Sequence, residues 1–515
     1  SSVCNDNSGN VYVGGMYASN PCYIGNDSLQ CVPMPPQRGF FLAKYNSSGS
    51  IQWLHGYKGT NEDSLNAGIS DMAYDAANNY IYVCGSFSGS GNIDSVSLSA
   101  AGGTYILLAK FDLNGNCIWA KKAGGAGCGS FATALCVDAD GNIIITGENL
   151  CSATFDTITV PAGFFLAKYD GNGNCLWAKK KFNQNMSAQG FDALLFELKA
   201  YGTDIIGFGG FTLDTLTVDT TTVQSNYANG QYLLIRFDSI GNTKWAKGCA
   251  GDFTGSGIGL AEDSSGNSYI TGSFAPSAIF ENDTLYNNSG DLFFAKYNSS
   301  GNFAWAIQAY ATANTLGNAL AIGNNNAIYL TGAFQDSATF GNNTIISTGT
   351  ISDMFVARYD ASGNYIGVVQ VAEAGGASIS LDSNNSIYVT GTFRNTATFG
   401  TNPSITSYGF SDIFVAKIDG ITGEEEAPRL SGSNQLFIYA NPTTGICNVT
   451  IPNEFKHEKD LTLQIFDNTG KLLQQIPVQM DNEKVRLNLE QEARGVYHIT
   501  LSNGRKKYNG TIVFE

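Results

Sequence analysis

The sequence has few charged residues, almost no histidine and no long apolar run. Charged residues make up 14% of the 515 residues, and three histidines occur, His55, His457 and His498. No apolar stretch approaches the roughly 18 residues that a membrane helix needs, so we expect no direct membrane span. The motifs Gly-x-Ser-x-Gly and His-Glu-x-x-His are absent, which argues against the enzymes built on them, and we predict that the chain is not an enzyme.

Basic residues are also scarce. The formal net charge is −16, and no run of Lys or Arg occurs in the chain. Affinity for a phosphate backbone rests mainly on clustered Lys and Arg, so we expect no nucleic-acid partner.

The eleven cysteines lack Cys-x-x-Cys spacing and nearby histidines. A zinc site is therefore not expected, and neither is any other metal or cofactor. Scattered disulfides fit an exported protein better. Cys22 and Cys31 flank a proline-rich loop and are the candidate disulfide pair, whereas the odd total leaves at least one free thiol, for which Cys447 is the candidate.

Glycine and aromatic residues are abundant, with 60 Gly, 31 Phe and 25 Tyr. Tight turns and aromatic strands of this kind predict an all-β fold. The chain begins Ser1-Ser2-Val3, without an initiator Met or a charged and apolar leader. We expect from this a mature protein whose signal peptide has been removed.

One unit recurs seven times along the chain. Each copy contains an apolar strand that ends in a basic residue, at intervals of 66, 58, 68, 60, 62 and 59 residues. These residues are Lys44, Lys110, Lys168, Arg236, Lys296, Arg358 and Lys417. In the first six copies the strand runs into Asn/Asp-x-x-Gly, which is typical of a hairpin turn. The period and the short strands predict one four-stranded propeller blade per copy.

All five tryptophans occupy one position of the repeat, four residues after the turn glycine. They are Trp53, Trp119, Trp177, Trp245 and Trp305, and Gly367 takes this position in the sixth copy. A second turn, Asp-x-x-Gly-Asn or a near variant, begins at Asp6, Asp75, Asp138, Asp263 and Asp382. The whole unit resembles the seven-bladed β-propeller repeat of bacterial exported proteins, a resemblance that covers about residues 1 to 420 and implies no single activity.

The seventh copy ends after Phe414-Val415-Ala416-Lys417-Ile418-Asp419 and has no Trp strand. We expect either that residues upstream of Ser1 complete this blade or that it keeps three strands and a partly open edge.

The last part of the chain differs in composition. Residues 421–434 are rich in charged and turn-forming residues and are predicted to be a linker. Residues 435–515 contain alternating strands and are predicted to form a small Ig-like β-sandwich. Three motifs occur in order there, and their residues are Asn441, Pro442 and Gly445, then Asp467, Gly470 and Lys471, then Gly495 and Tyr497.

These motifs resemble the type A C-terminal sorting domain of type IX secretion substrates in the Bacteroidota. The resemblance implies Sec export to the periplasm, translocation across the outer membrane, and an extracellular or cell-surface location. It implies two partners for residues 435–515, the translocon and its outer-membrane shuttle barrel protein. A terminal sandwich with exposed strand edges is also suited to capture by β-augmentation.

Several features have both a structural and a functional interpretation. The tryptophans pack between adjacent sheets or stack on sugars, and the basic residues pair with turn aspartates or form an anion-binding ring. Residues 138–142 form a plain turn or a calcium loop without its distal glutamate. The stretches Tyr17 to Gly39 and Thr212 to Gln231 are decorated loops or ligand-binding loops. In each case the structural interpretation is favoured.

The leading functional hypothesis is a non-enzymatic surface or secreted passenger for adhesion or surface assembly. The alternative is a glycan-binding module for polysaccharide capture. A third possibility is a propeller hydrolase or lyase with carboxylates contributed by different blades, because such pairs are invisible in a single sequence.

Overall fold

A computed structural model of the chain describes residues 2–421 and 436–514 apart from short stretches. The longest of these stretches are residues 18–21, 30–38, 58–65, 183–192, 226–229 and 253–256, and in the C-terminal part 440–444, 456–460, 468–470 and 479–483. The chain forms two compact units, Ser1–Glu424 and Glu425–Glu515. The part of each unit that is described is all-β, and none of it forms a helix that could cross a membrane.

The described part of the first unit contains seven antiparallel sheets of three or more strands, sheet 1 to sheet 7, in chain order. Sheets 1 to 6 contain four main strands, A to D, hydrogen-bonded in the order in which the chain visits them, and strand D of sheet 5 also pairs with a following hairpin, Ser337–Phe340 with Asn343–Ile346. In sheets 1 to 3 these are β1 (Ser2–Asn5), β2 (Val11–Tyr17), β5 (Gly39–Tyr45) and β6 (Ile51–Tyr57); β7 (Asn66–Asp75), β8 (Tyr80–Ser88), β11 (Tyr105–Phe111) and β12 (Cys117–Ala123); and β13 (Ser130–Val137), β14 (Ile143–Asn149), β17 (Gly163–Tyr169) and β18 (Cys175–Phe182).

Sheets 4 to 6 repeat this order, and sheet 7 has strands A to C in its described part. The strands are β19 (Ala193–Tyr201), β20 (Asp204–Phe211), β23 (Gln231–Phe237) and β24 (Thr243–Asp252); β25 (Gly259–Glu262), β26 (Ser268–Phe274), β29 (Asp291–Tyr297) and β30 (Phe303–Ala311); β31 (Thr315–Ile322), β32 (Ile328–Phe334), β35 (Asp353–Tyr359) and β36 (Tyr365–Val371); and β37 (Ala374–Leu381), β38 (Ile387–Phe393) and β41 (Asp412–Ile418).

A short hairpin is inserted between strands B and C of every sheet. The hairpins are β3 (Cys22–Ile24) with β4 (Asp27–Leu29), β9 (Ser90–Ile93) with β10 (Val96–Ser99), β15 (Ala153–Phe155) with β16 (Ile158–Val160), β21 (Thr215–Val218) with β22 (Thr221–Gln224), β27 (Ser277–Phe280) with β28 (Asp283–Tyr286), β33 (Ser337–Phe340) with β34 (Asn343–Ile346), and β39 (Thr396–Ala397) with β40 (Ile405–Thr406). The two long loops predicted from the sequence therefore each contain a hairpin, β3–β4 and β21–β22.

The C strands are buried on both faces because each lies between two neighbouring sheets. The strand Gly163–Tyr169, for example, is buried at all seven positions. Such strands read as unbroken apolar runs rather than as alternating ones. This explains the repeated apolar segment that is the strongest signal in the sequence.

A hydrophobic cluster fills each interface between consecutive sheets, and one more lies between sheet 7 and sheet 1. In that last cluster Tyr388 of sheet 7 packs with Val3 and Val13 of sheet 1. The A strands of all seven sheets line one central cavity of about 130 Å³. The sheets thus surround a common axis, and the propeller architecture and all-β class predicted from the repeat are confirmed.

The second unit contains two antiparallel sheets with one shared core. One sheet has the order β42 (Ile438–Tyr439), β43 (Ile446–Thr450) and β46 (Lys484–Asn488), and the other has β45 (Leu472–Val478), β44 (Leu461–Phe466), β47 (Gly495–Ser502) and β48 (Lys507–Phe514). Val449 and Leu487 of the first sheet pack with Leu463, Ile499 and Ile512 of the second. The sandwich arrangement follows, while its Ig-like class stays a prediction. Of the predicted linker, Ile421 is buried in the first unit, and residues 422–434 lie outside the described residues.

Candidate functional site

The repeated basic residues lie at interfaces between sheets. In five of the seven sheets the side chain donates to a backbone carbonyl in the C–D turn of the next sheet, as Lys44 does to Leu113 O at 3.3 Å and Lys110 to Gly171 O at 2.9 Å. Lys168, Arg236 and Lys417 make the equivalent bond, each to the C–D turn of the sheet that follows its own, and Lys417 does so from sheet 7 to sheet 1. Arg358 donates to Ile421 O, and Lys296 lies 3.8 Å from Asp263.

Each basic group also lies near a ring or a carboxylate of its own sheet. Lys110 Nζ is 3.7 Å from the centre of the Tyr80 ring, and Lys168 Nζ is 2.6 Å from Asp138 Oδ2. These cations are therefore engaged within the propeller, which is the structural interpretation that the sequence favoured over an anion-binding ring.

The tryptophans occupy the same interfaces. The indole nitrogen of Trp53 donates to Leu113 O at 3.2 Å, the carbonyl that also accepts Lys44. Trp119 and Trp245 make the equivalent bonds to Gly171 O and Ser299 O, both at 3.3 Å. The indole rings are half-buried and contact the turn of the following sheet, which fits the packing role favoured from the sequence.

In sheets 2 to 6 the turn glycine lies next to the tryptophan of the preceding sheet. A Cβ at Gly241, whose φ is +78°, would come within 2.6 Å of the Trp177 ring, and a Cβ at Gly301 within 2.7 Å of Trp245. Positive φ and close approach both require glycine at these turns. The repeated Gly and the repeated Trp thus form one contact between sheets rather than two independent features.

The candidate calcium loop is a hydrogen-bonded turn. Asp138 Oδ1 accepts the backbone N–H groups of Asp140 and Asn142, at 3.0 and 2.9 Å, and Oδ2 pairs with Lys168. This use of the carboxylate within the turn fits the predicted plain turn. Among the described residues no three His, Cys, Asp or Glu side chains converge as metal ligands would.

The central cavity contains two carboxylates that the sequence analysis did not find. A glycine recurs in strand B of each sheet, at Gly15, Gly85, Gly147, Gly209, Gly272, Gly332 and Gly391. In each A strand one residue pairs, in the sheet register, with the residue that precedes this glycine. The seven residues are Ser2, Asp71, Ala134, Glu197, Gly259, Ala319 and Ser378. Only sheets 2 and 4 have an acid at this position, and both acids lie on the cavity wall.

Burial dominates the electrostatics of this cluster. It raises the pKa of Asp71, against the opposing effects of Lys199 and of three donors, Ser2 Oγ, Met72 N and Leu135 N. It also raises the pKa of Glu197 to about 7, although Lys199 Nζ lies 3.4 Å from Glu197 Oε2.

Burial works to lower the pKa of Lys199, but Glu197 and Asp71 outweigh it and the net shift is upward. The cavity therefore contains two acids and one cation. An alignment of the A strands by the position of the repeated glycine would have marked Asp71 and Glu197 as departures from small and hydroxyl residues.

Sheet 3 departs from the repeat at a different position, in strand B. Two residues after the repeated glycine of strand B, the other sheets have an aromatic residue, Tyr17, Phe87, Phe211, Phe274, Phe334 or Phe393, where sheet 3 has Asn149. Asn149 is 1% exposed, and neither amide atom has a hydrogen-bond partner among the described residues. Its neighbour Glu148 is 4% exposed, and burial raises its pKa to about 7.

One disulfide, Cys128–Cys151, lies among the described residues, close to this departure in sheet 3. The sequence analysis missed it, because 23 residues separate the two cysteines and no motif links them. Cys447 is a free, buried thiol, as are Cys84, Cys136 and Cys249. Of the candidate pair Cys22 and Cys31, Cys31 lies outside the described residues.

Five of the eight sorting-domain motif residues are described. Asp467 accepts the backbone N–H of Lys471 at 3.0 Å and closes the turn between β44 and β45. Gly445 O accepts the backbone N–H of Leu489, and the Tyr497 hydroxyl donates to Ala493 O. Gly495 begins β47. These residues form turns and strand ends, and Asn441, Pro442 and Gly470 lie outside the described residues.

Comparison with known proteins identifies the tail. Residues 437–515 match the family described as the secretion system C-terminal sorting domain. A curated relative, the uncharacterised WD repeat-containing protein L264 of Acanthamoeba polyphaga mimivirus, is 24% identical over an alignment that covers 70% of this chain. The chain spans 31% of the length of that relative.

Among solved structures, the WD40 domain of Neurospora crassa Pan2 is similar with a TM-score of 0.40 and 9% identity, covering 75% of this chain and 84% of that one. The Dos1 propeller has a TM-score of 0.36 and 10% identity, covering 68% and 86%. A GH43 endo-arabinanase from Bacillus licheniformis has a TM-score of 0.27 and 12% identity, covering 60% and 93%. Because all three scores are below 0.5, the propeller architecture rests on the sheets and interfaces described above.

The sorting domain gives the export route of the chain. Proteins with this tail leave the cell by the type IX secretion system, so the propeller reaches the cell surface or the extracellular space. The tail is the part of the chain that addresses the secretion machinery.

Proposed function

We propose that the protein is a non-enzymatic passenger that acts in adhesion or surface assembly, with residues 435–515 as its export signal. The observation that carries the proposal is the use of the repeated cations and indoles. Trp53 and Lys44 share one carbonyl of the next sheet, and the same arrangement recurs at Trp119 with Lys110. Residue types that could bind anions or sugars are thus engaged in holding the propeller together.

The cavity carboxylates fit a structural role as well. Both oxygens of Asp71 accept hydrogen bonds, from Ser2 and Met72 on one side and from Leu135 on the other. A carboxylate satisfied in this way is poorly placed to exchange protons with a substrate. Glu197 pairs with Lys199 instead of with a second acid.

The export part of the proposal is tested with a reporter. Residues 435–515 are fused behind a fluorescent protein that carries a Sec leader, and the fusion is located in a Bacteroidota host with and without the translocon. We expect surface fluorescence that disappears in the translocon mutant. Periplasmic fluorescence in both strains would contradict the proposed role of residues 435–515 and the proposed partnership with the translocon and its shuttle barrel protein.

The adhesion part needs a separate experiment. Deletion of residues 1–420, with the tail retained, is expected to reduce attachment of cells to surfaces or to each other. Cells that export the full chain provide the control. Equal attachment by both strains, together with product release from polysaccharide or peptide by the purified chain, would favour the hydrolase or lyase instead.

Glycan binding is the second candidate, and two exposed tyrosines favour it. Tyr286 and Tyr310 are 72% and 60% exposed, and they lie on the hairpin and the D strand of sheet 5. Exposed aromatic rings are suitable faces for sugar stacking. If this candidate holds, soluble polysaccharide raises the Tm of the protein but not that of a Tyr286→Ala, Tyr310→Ala variant, while Ile240→Ala, another exposed apolar site, leaves the shift intact.

A further inference from the structure

One sector of the outer rim of the propeller is basic. The A strands line the central cavity, so strand D lies farthest from the axis in sheets 1 to 6. The D strands of sheets 2, 3 and 4 contain seven lysines, whereas those of sheets 1, 5 and 6 contain no lysine or arginine. The seven are Lys121 and Lys122 in β12, Lys179, Lys180 and Lys181 in β18, and Lys244 and Lys247 in β24. Three neighbouring sheets thus concentrate positive charge in a chain whose net charge is −16.

Three of these lysines are neutralised by carboxylates of the propeller. The salt bridges join Lys181 to Asp219 at 2.9 Å, Lys244 to Asp204 at 2.8 Å and Lys247 to Glu281 at 3.0 Å. None of the other four forms a salt bridge with a described carboxylate. These four, which we call the rim lysines, are Lys121, Lys122, Lys179 and Lys180.

Carboxylates beside β12 and β18 are used by the backbone instead. Asp94 accepts the N–H of Cys117, and Asp156 accepts the N–H of Cys175, both at 2.7 Å. Two of the rim lysines donate to neutral oxygens, Lys122 to Ser99 O at 2.7 Å and Lys179 to Asn242 Oδ1 at 3.0 Å. Because an ammonium group has three donors, both lysines keep donors and an uncompensated charge for a ligand.

The rim lysines of the two strands approach a common interface. Trp119 and Ala178 pack against the cluster between sheets 2 and 3. Side chains alternate along a strand, so Lys121 lies on the side of Trp119 and Lys180 on the side of Ala178. The two lysines therefore face the outer end of this interface from opposite sheets.

Exposed aliphatic side chains accompany these charges. Ile118 and Leu176 each precede the tryptophan of their strand, and they are 49% and 50% exposed. The basic sector therefore offers apolar surface as well as cations to a partner.

We propose that the rim lysines, with Ile118 and Leu176, bind a linear acidic polysaccharide whose sugar units carry carboxylates. Cations on two neighbouring strands match an array of carboxylates, and the aliphatic side chains pack against the apolar faces of sugar rings. All seven cations of the sector are lysines, whereas phosphate and nucleic-acid recognition favours arginine. The inference deepens the adhesive function proposed above by naming the class of partner, and it rests on that function.

Calorimetric titration of the purified full chain with polygalacturonate tests the proposal. We expect binding that weakens at least about tenfold between about 50 mM and about 500 mM NaCl, because binding releases counterions from the polymer. Dextran, a neutral polysaccharide, is expected not to bind. Equal affinity for dextran would overturn the role of charge, and tighter binding of duplex DNA at equal charge concentration would overturn the choice of a polysaccharide.

A charge-removing variant locates the site. Lys121→Gln, Lys122→Gln, Lys179→Gln and Lys180→Gln, combined in one chain, are expected to weaken binding at least about tenfold. Arginine at the same four positions is expected to restore binding. Equal affinities of the glutamine variant and the unmodified chain would overturn the proposal.

The matched control removes the same charge from exposed positions of the second unit. Its substitutions are Lys484→Gln, Arg486→Gln, Lys506→Gln and Lys507→Gln. The affinity of this variant is expected to stay within about twofold of the unmodified chain, because distant charges are screened by salt. A loss as large as that of the rim variant would overturn the assignment of binding to the rim.

Acetylation of lysines in the unmodified chain gives a measurement that does not depend on the folding of a variant. Polygalacturonate is expected to slow acetylation of the rim lysines and to leave Lys506 and Lys507 unaffected, as followed by mass spectrometry. Equal slowing at all of these lysines would contradict the site. Adhesion and the site fail separately, since equal attachment by cells with and without residues 1–420 contradicts adhesion, whereas full affinity of the glutamine variant contradicts the site.

Discussion

The interface between sheets 1 and 2 and the interface between sheets 7 and 1 are built from the same repeat but differ in content. The first has a cluster of 18 buried apolar residues, an indole and a cation on one carbonyl, and a covered turn glycine. The second has 8 buried apolar residues among those described, and only the cation. The difference shows that a D strand contributes contacts to the interface with the following sheet as well as to its own sheet.

The largest expected effect comes from alanine at a covered turn glycine. Gly241→Ala places a Cβ 2.6 Å from the Trp177 ring and forces a positive φ on alanine. We expect the free energy of unfolding of the propeller to fall by about 3 kcal/mol, from overpacking together with backbone strain. Urea denaturation measures this change.

Gly49→Ala is the matched control, since Gly49 has a similar φ of +81° and no neighbouring atom within 4 Å. Only the backbone strain remains there, about 1 kcal/mol. Equal losses for the two variants would mean that the covering tryptophan contributes nothing to the difference between the interfaces.

Glu148 weakens one of the tryptophan-bearing interfaces. It shares a face of β14 with Ile144, which packs in the cluster between sheets 3 and 4. Burial raises its pKa to about 7, so the folded protein binds a proton that the unfolded chain releases near pH 4.5. Stability contributed by this proton is present at pH 4 and is lost as the pH rises towards 7 and above.

We therefore expect Glu148→Gln to leave the stability unchanged near pH 4 and to increase it by about 2 kcal/mol at pH 8, where the buried carboxylate is ionised. Thermal unfolding followed across this pH range checks the expectation. A stability difference between the two proteins that does not vary with pH would rule out ionisation of Glu148 as its cause.

The smallest effect separates the cation Lys110, at the interface between sheets 2 and 3, from the cation Lys417, at the interface between sheets 7 and 1. Lys110 is 9% exposed and donates to Gly171 O at 2.9 Å, so Lys110→Met is expected to cost about 1 kcal/mol. Lys417 is exposed, and Lys417→Met is expected to cost less than about 0.5 kcal/mol. A larger loss for Lys417→Met than for Lys110→Met, measured by urea denaturation, would contradict this order of contributions.

The repeat carried most of the information about the fold. Lys110, Trp119 and Gly173 recur with a fixed spacing because each touches the neighbouring sheet, and contacts that recur in most interfaces leave a periodic trace in the sequence. The architecture of the first unit could be predicted for that reason. The hairpins between strands B and C vary in length and composition, so they appeared only as loops.

Features that occur once could not be predicted in the same way. Asp71 and Glu197 come from different sheets, and only the closed arrangement brings them to one cavity. Cys128 and Cys151 belong to a local departure of sheet 3 that has no counterpart in the other copies. Such residues are found by aligning strands through their register and searching for positions that break the pattern.

The carbonyl that accepts both Lys110 and Trp119 belongs to a different copy of the repeat from its two donors. The contact that joins two sheets is therefore formed by residues of two consecutive copies of the repeat. A duplicated copy with a complete D strand brings both a donor side and an acceptor side, so its contacts match those of complete copies on either side. The number of sheets can thus change in evolution by duplication or deletion of a whole copy, whereas loss of part of a copy removes contacts from the neighbouring sheet.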